Sequence, residues 1–400
     1  MNIKPQKGMQ EYLPDAAAKR DLLMNTILET YTSCGFTRIY TPAVESAENL
    51  DKSDGGDNLN LIFKILKRGD KLESALAKTP VDEKALSDLG LRYDLTLPLS
   101  RYFANNRNSL PNPFKCIQID KVYRAERPQR GRLREFVQCD IDILGSDSIC
   151  CEIELISVTA KALGKIGIGK FFVRVNDRRI LRGTLRTMGF PEEALDSVCV
   201  TFDKLDKIGA DGVAAELNEK GMPADAVKSL SELISKDAIT LDDMAAYCKD
   251  DAAEAIASLK TIIETSNKLS DEYDVVFDPS LVRGQGYYTG TVFEVASEKF
   301  GGTVAGGGRY DGLIGRFTGE QIPAVGFSIV TENNIELSGS RPRAAILYKE
   351  EDILEAINES SKLEGEYDVT LVLVNNPKKT DKFYSRAKAA GFDNIIKLNL

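Results

Sequence analysis

The densest run of chemically capable side chains is KVYRAERPQRGRLRE, residues 121–135. It carries six basic residues (Lys121, Arg124, Arg127, Arg130, Arg132 and Arg134) against two acids, Glu126 and Glu135. Guanidinium groups keep their charge and match phosphate oxygens two bonds at a time, so one reading is a polyanion clamp. The other is a solvated, charged hairpin tip. The chain has no P-loop pattern and no G-x-G-x-x-G after a strand. If it binds a nucleotide, arginines on an antiparallel sheet are the plausible means. A second cluster is LVRGQGYYTGTVFEV at 281–295, followed by TVAGGGRYDGL at 303–313. Glycine within strands marks tight turns and bulges or the close approach of a ligand. Tyr287, Tyr288 and Tyr310 between the glycines favour a pocket with polar aromatic walls. A third is LRYDLTLPLSRY at 91–102. Read as extended chain, it puts Asp94 and Thr96 on one face by the period of two. A carboxylate beside a hydroxyl suits an ammonium group; a solvent-facing Asp94 is the plainer reading.

What is missing narrows the chemistry further. The 400 residues contain no histidine and no tryptophan. Ser-His-Asp and Cys-His catalysis both need an imidazole base and are excluded, as are histidine-containing zinc sites. Acid–base work falls to Asp, Glu, Lys, Tyr or Cys. Lys plus Arg is 52 and Asp plus Glu is 61, a net charge of −9. That speaks against a general nucleic-acid coat protein but allows a local basic surface. Seven cysteines without C-x-x-C in a long chain read as reduced thiols, hence a cytoplasmic location. The first residues, MNIKPQKGMQEYLPD, lack the apolar core of a signal peptide, and no run approaches a membrane span, so no membrane association is expected.

The elements that must position these side chains follow from periodicity. Asp15 to about Ser33 reads as a helix that Asp15 can cap and Gly35 can end. Residues 116–123 and 136–144 alternate apolar and polar around a Pro/Gly loop, which makes an antiparallel pair. Residues 150–163 are helical and 171–175 a strand. From about 178 to 269 the pattern is almost all helix, rich in Ala, Leu, Asp, Glu and Lys. Strand character returns at 274–278, 290–297 and 303–305, ending before Gly306-Gly307-Gly308. After the linker SGSRPR, residues 344–400 read β-α-β-α-β, a small α/β domain with a partly parallel sheet. The fold class is α+β. The expected organisation is a core first part at 1–177, a helical insertion at 178–270, a core second part at 271–337 and a C-terminal domain at 344–400.

In order along the chain, KGMQEYLP (7–14), TPAVE (41–45), LRYDLT (91–96), YRAERPQRGRLREFVQ (123–138), RGQGYYTGTVFE (283–294) and AGGGRYDGL (305–313) resemble the histidyl-tRNA synthetase family of class II synthetases. The resemblance implies an antiparallel sheet flanked by helices, a homodimer, and a reduced C-terminal anticodon-binding-like domain. It implies ATP, histidine and tRNA as substrates, with Mg²⁺ accompanying ATP and no protein metal ligand that can be named. Thr41-Pro42 would lie at the dimer interface. Arg124, Glu126 and Arg132 would hold ATP, with Arg124 and Arg283 the catalytic cations. Asp94, Thr96, Gln138, Asp142, Tyr287, Tyr288 and Tyr310 would bind histidine.

Several positions depart from the family pattern. Asp94 and Asp142 stand where the family usually has Glu. Gln285-Gly286 replaces a Leu-Asp pair, and GFSIVTEN at 326–333 puts Asn333 where an ATP-binding arginine is expected. Residues 341–400 carry ten basic and ten acidic side chains, which gives no basic footprint for an RNA stem. These features also fit a paralogue of the same fold that does not charge tRNA and partners a phosphoribosyltransferase catalytic subunit. The absence of histidine has a consequence of its own for a protein that handles histidine: the chain can be made while histidine is scarce. Its synthesis is expected to continue undiminished under histidine starvation, measured by pulse labelling; a fall in parallel with histidine-containing proteins would refute this.

Overall fold

Alternation along the middle of two ten-residue strands builds the frame. The computed structural model describes residues 3–52, 61–78, 80–81, 83–128, 132–202, 204–236, 238–281, 287–297, 302–335 and 341–400. Within them the strands are β1 (Thr37–Arg38), β2 (Val44–Ser46), β3 (Lys64–Leu66), β4 (Ser87–Leu91), β5 (Phe114–Tyr123), β6 (Glu135–Leu144), β7 (Phe171–Asp177), β8 (Tyr273–Phe277), β9 (Thr291–Ser297), β10 (Gly302–Arg309), β11 (Ala324–Val330), β12 (Arg343–Tyr348), β13 (Asp368–Leu373) and β14 (Asn394–Lys397). β5 and β6 pair antiparallel from Phe114↔Leu144 to Tyr123↔Glu135. Ile117, Ile119, Cys139, Ile141 and Ile143 face one large apolar cluster. By the period of two, Gln118, Gln138, Asp140 and Asp142 take the opposite face.

The main sheet has eight strands in the order β1-β5-β6-β11-β10-β9-β7-β8. It is mixed. Its interior is antiparallel, and its two outermost pairs, β1 with β5 and β7 with β8, are parallel. A separate three-stranded antiparallel sheet has the order β2-β4-β3.

The helices of this part are α1 (Pro14–Ser33), α2 (Ala47–Leu50), α3 (Asp70–Leu76), α4 (Glu83–Leu86), α5 (Thr96–Asn106) and α6 (Cys150–Lys165). Between β7 and β8 come α7 (Arg178–Thr187), α8 (Leu195–Phe202), α9 (Leu205–Glu219), α10 (Ala224–Ile234), α11 (Leu241–Cys248) and α12 (Ala253–Asn267). Val198, Leu217, Leu230 and Leu259 on these helices join the same apolar cluster as Ile141 and Val175 of the sheet. Burial of that shared face is what fixes helices whose sequence specifies only an apolar stripe. Two short helices, α13 (Gly315–Thr318) and α14 (Thr331–Ile335), flank β11.

The chain folds into two compact units, residues 1–13 with 23–337 and residues 14–22 with 338–400. In the second, α15 (Ile353–Leu363) and α16 (Thr380–Ala389) accompany a sheet in the order β13-β12-β14. Both of its strand pairings are parallel, rather than partly so. The central strand β12 buries Ala344, Ala345, Ile346 and Leu347 completely, as expected for a strand covered on both sides.

Three local expectations are corrected. Asp94 and Thr96 do not share an extended segment: Thr96 opens α5, and Asp94 Oδ1 accepts a bond from Leu97 N at 3.1 Å. A short acidic side chain that satisfies a free helical N–H, with Pro98 in the first turn, favours helix over strand here. α1 starts at Pro14 with Leu13 as its cap residue and no side-chain cap; Asp15 lies in the first turn. Proline at the first helical position is already set at the helical φ. Finally, β10 does not stop before Gly306 but runs through all three glycines to Arg309, paired on both sides.

The end of β10 is tied down by charge. Arg309 Nε and Nη2 donate to the two carboxylate oxygens of Glu152 in α6, each at 2.6 Å, and both side chains are buried. Arg309 Nη1 also donates to Ser146 O and to Asp311 Oδ1, both at 3.2 Å. Asp311 Oδ1 in turn accepts from Ala324 N at the start of β11. Removing one partner of such a pair strands a buried charge and costs about 3–5 kcal/mol. Glu152→Ala is therefore expected to lower unfolding stability by about that amount, read from the midpoint of urea denaturation.

Candidate active site

The polar face of β6 forms the floor of a pocket of about 120 Å³. That is several times the ~10–15 Å³ needed for one water, so the space suits a small molecule. The register gives two rows of neighbours across the sheet. Gln118, Asp140, Ser328 and Gly306 form one; Cys116, Asp142, Gly326 and Gly308 form the next. The glycines make room. A Cβ on Gly326 would lie 2.0 Å from Asp142 Oδ1, and one on Gly308 would lie 2.9 Å from the Tyr288 ring. In both places the missing side chain is the condition for the neighbouring group to point into the pocket.

At one end the pocket is aromatic. Tyr310 Oη donates to Asp142 Oδ1 at 2.7 Å. The ring of Tyr287 meets those of Tyr288 and Tyr310 edge to face, with centroids 5.0 and 6.1 Å apart. All three rings are buried. The other end carries Arg124, the one cation among the described lining residues. Its Nε donates to Tyr93 O at 3.0 Å, and its guanidinium lies 5.0 Å from the centroid of Phe136. The guanidinium is thus held by its own edge and face and presents its remaining donors.

Asp94, Thr96, Arg124, Gln138, Asp142, Tyr287, Tyr288 and Tyr310 all line this one pocket. Glu126 and Arg132 do not. They sit on the β5–β6 connection, with Arg132 Nη1 3.7 Å from the Glu126 carboxylate and largely exposed. Glu126 O also accepts from Arg134 Nε at 2.9 Å, and Arg134 N donates to Gly8 O at 2.7 Å, which ties the N-terminal KGM stretch to the same connection. Arg283, Gln285 and Gly286 lie outside the described residues. Asn333 belongs to α14, where the preceding Glu332 accepts from Val137 N with both oxygens, at 3.1 and 3.0 Å.

The sequence motifs do not single out Asp140 and Ser328. Asp140 is within reach of sequence reasoning, because it alternates with Gln138 and Asp142 on one strand. Ser328 is not, because only strand pairing puts it opposite Asp140. Among the described residues, four acceptors in the pocket have no hydrogen-bond partner: Asp94 Oδ2, Gln138 Oε1, Asp140 Oδ1 and Asp142 Oδ2. Buried polar atoms are seldom left so, and a cluster of them calls for a ligand that brings donors.

The carboxyls hold their protons tightly in this setting. Burial, with the Leu97 amide and Arg124 acting against it, pushes Asp94 up to about 6. Burial pushes Asp142 up to about 7, opposed by the Tyr310 bond and reinforced by Asp94. Asp140 is raised well above the carboxylate range by burial and by Asp142.

Among solved structures, the histidyl-tRNA synthetase from Nostoc sp. PCC 7120 superposes with a TM-score of 0.80 at 26% identity, covering 100% of this chain and 92% of that one. An ATP phosphoribosyltransferase regulatory subunit/histidyl-tRNA synthetase from Bacillus halodurans C shares the fold, with a TM-score of 0.76 at 22% identity over 99% and 98% of the two chains. The sheet with its polar-faced pocket is thus a class II synthetase core. The histidyl-tRNA synthetase family model matches residues 8–333. A histidine–tRNA ligase of Leifsonia xyli subsp. xyli is 44% identical over 348 residues, which cover 84% of this chain and 80% of its own. The chain belongs to the histidyl-tRNA synthetase family.

Asp142 offers a test of the pocket's electrostatics. The folded state holds its proton up to about pH 7, whereas an unfolded aspartate loses it near 3.8. Between those values the folded state binds more protons, so stability falls as pH rises, and above 7 the cost is fully present. Asp142→Asn keeps the acceptor for Tyr310 and removes the charge. At pH 8 it is expected to stabilise the free protein, by up to about 4 kcal/mol at 1.36 kcal/mol per unit. At pH 4.5 the gain should shrink severalfold. Urea midpoints at the two pH values check this; equal gains at both would assign the effect to something other than the carboxyl.

Proposed function

We propose that the chain is an ATP-dependent histidine–tRNA ligase: it joins histidine to ATP as histidyl-adenylate and passes the histidyl group to tRNA. The observation that carries this is the 326-residue span matched by the family model, residues 8–333, within which the four donor-lacking acceptors converge on one pocket. A free amino acid with an imidazole ring supplies N–H donors at both of its ends. Asp94 and Gln138 face the α-ammonium, with Thr96 at the same end. Asp142, oriented by Tyr310, takes a ring N–H between Tyr287 and Tyr288. Arg124 holds the α-phosphate, Glu126 the adenine, and Arg132 the outer phosphates. Arg283 is assigned to the reacting carboxylate and α-phosphate.

In the first step a carboxylate oxygen of histidine attacks the α-phosphorus, and the bond to the pyrophosphate oxygen breaks. The nucleophile is already ionised, so no imidazole base is required. The barrier lies in bringing negative groups together, and fixed cations lower it. In the second step a ribose hydroxyl of the tRNA attacks the activated carbonyl, the bond from that carbonyl carbon to the phosphate oxygen breaks, and AMP leaves with the hydroxyl proton taken up by its phosphate. Among the described residues no group of three or more acidic or cysteine side chains is placed to hold a metal. Mg²⁺, expected to accompany ATP, is assigned to the ATP phosphates, whose charge it would shield.

A homodimer is proposed through the Thr41-Pro42 segment. Thr41 is buried, donating to Gln118 Oε1 at 2.9 Å and accepting from Arg92 Nη1 at 2.7 Å through its carbonyl. Tyr40, 67% exposed, and Val44, 42% exposed, flank it with apolar surface. No described helix is long and apolar enough to cross a membrane. All seven cysteines are free, in keeping with a cytoplasmic location. The reading as a regulatory partner of a phosphoribosyltransferase is less well supported, since the relative at 44% identity is named a ligase and the likeness to the regulatory-subunit structure, at 22%, is one of fold.

Histidine-dependent ATP–pyrophosphate exchange is the test. Exchange should require histidine, and Arg124→Ala should lower kcat/KM by about 10²–10³, the usual loss when one charge-stabilising donor is removed. Asn333→Arg should raise exchange. A folded, dimeric protein with no exchange, recovered instead with a phosphoribosyltransferase catalytic chain, would overturn the ligase reading.

A further inference from the structure

Three carboxyl groups enter the pocket, and the contacts proposed for histidine use two of them. The third, Asp140, is 4% exposed and lies on β6 between Gln138 and Asp142, on the same face. Its Oδ1 has no partner among the described residues. Its neighbour across the strand pair, Ser328, accepts from Gln138 Nε2 at 3.0 Å, which leaves the serine proton for Asp140. Ser328 thus braces Asp140 and Gln138 together.

The register fixes where along the pocket Asp140 falls. At about 3.3 Å of rise per residue, its Cα is about 7 Å from those of Gln138 and Asp142. The Asp142 end is walled by Tyr310 and Tyr288, and the Gln138 end by Arg124 and Phe136. An amino acid that places its ring against the tyrosines and its carboxylate toward the arginine carries its Cα over the middle row. There an ammonium group, with three N–H donors and no acceptor, meets three buried acceptors that lack donors: Asp94 Oδ2, Gln138 Oε1 and Asp140 Oδ1. The fourth, Asp142 Oδ2, is left for the ring.

We propose that Asp140 contacts the substrate α-ammonium, as the third acceptor beside Asp94 and Gln138, and makes the pocket require an unblocked α-amino group. The inference rests on the ligase reading. It is tested by calorimetric binding of three probes to the full chain: histidine; histidinol, which keeps the ammonium and ring but lacks the carboxylate; and imidazolelactate, which has a hydroxyl in place of the ammonium. Asp140→Asn keeps an acceptor but removes the charge that faces the ammonium; it should weaken histidine and histidinol at least 10-fold, the scale of a hydrogen bond between charged groups, and change imidazolelactate less than 2-fold. Equal weakening of all three, or no weakening of histidine and histidinol, would overturn the assignment. ATP binding at the wild-type level shows that the variant is folded. Should it not fold, Ser328→Ala must give the same selective pattern, smaller in size, or the proposal falls. If the wild-type chain binds none of the three probes, the ligase reading itself fails; if it binds histidine and Asp140→Asn binds it equally, only this inference does.

Discussion

Burying three carboxyl groups on the floor of one pocket is the constraint that the rest of the site answers to. Asp140 and Asp142 come from a single strand face, and Asp94 from the turn that opens α5. Taken out of water with few partners, such groups resist ionisation and weaken the fold. The surroundings are arranged to tolerate them. Gly326 leaves the space that the Asp142 carboxylate occupies, Tyr310 gives it one donor, and the Leu97 amide gives one to Asp94. The oxygens without a partner among the described residues are the ones we assign to a substrate, whose donors would return as binding energy the stability that their burial gives up.

Holding the pocket's geometry falls to interactions outside it. The Arg309–Glu152 pair and the Asp311 bonds fix where β10 ends and β11 begins, and Tyr310 lies between Arg309 and Asp311. Its backbone is pinned on both sides, which helps to hold its hydroxyl at Asp142. The Glu332 carboxylate on Val137 N fastens α14 to β6 in a similar way from the opposite end of β11.

The chemistry suits a chain with no histidine. Attack by an ionised carboxylate on a phosphate calls for cations that do not titrate, and arginine supplies them at any physiological pH. Arg124 illustrates how such a cation is made rigid: one edge bonds a carbonyl and one face lies on Phe136, and we assign the rest of the fork to phosphate.

The sequence by itself determined which face each strand side chain takes. The alternation in EFVQCDIDIL placed Gln138, Asp140 and Asp142 opposite the apolar core, because a pleated strand leaves no other arrangement, and the ordered motifs marked the family. Local pattern failed where two local forces compete. Around Asp94 a helix-opening bond won over extension, and at Gly306–Gly308 pairing on both sides won over the usual strand-breaking tendency of glycine. Only the tertiary structure decided partners. Tyr310 and Asp142 are 168 residues apart and Arg309 and Glu152 are 157 apart. A side-chain period encodes a face but not the strand that will lie beside it, and that choice is made by register and by burial of the common core.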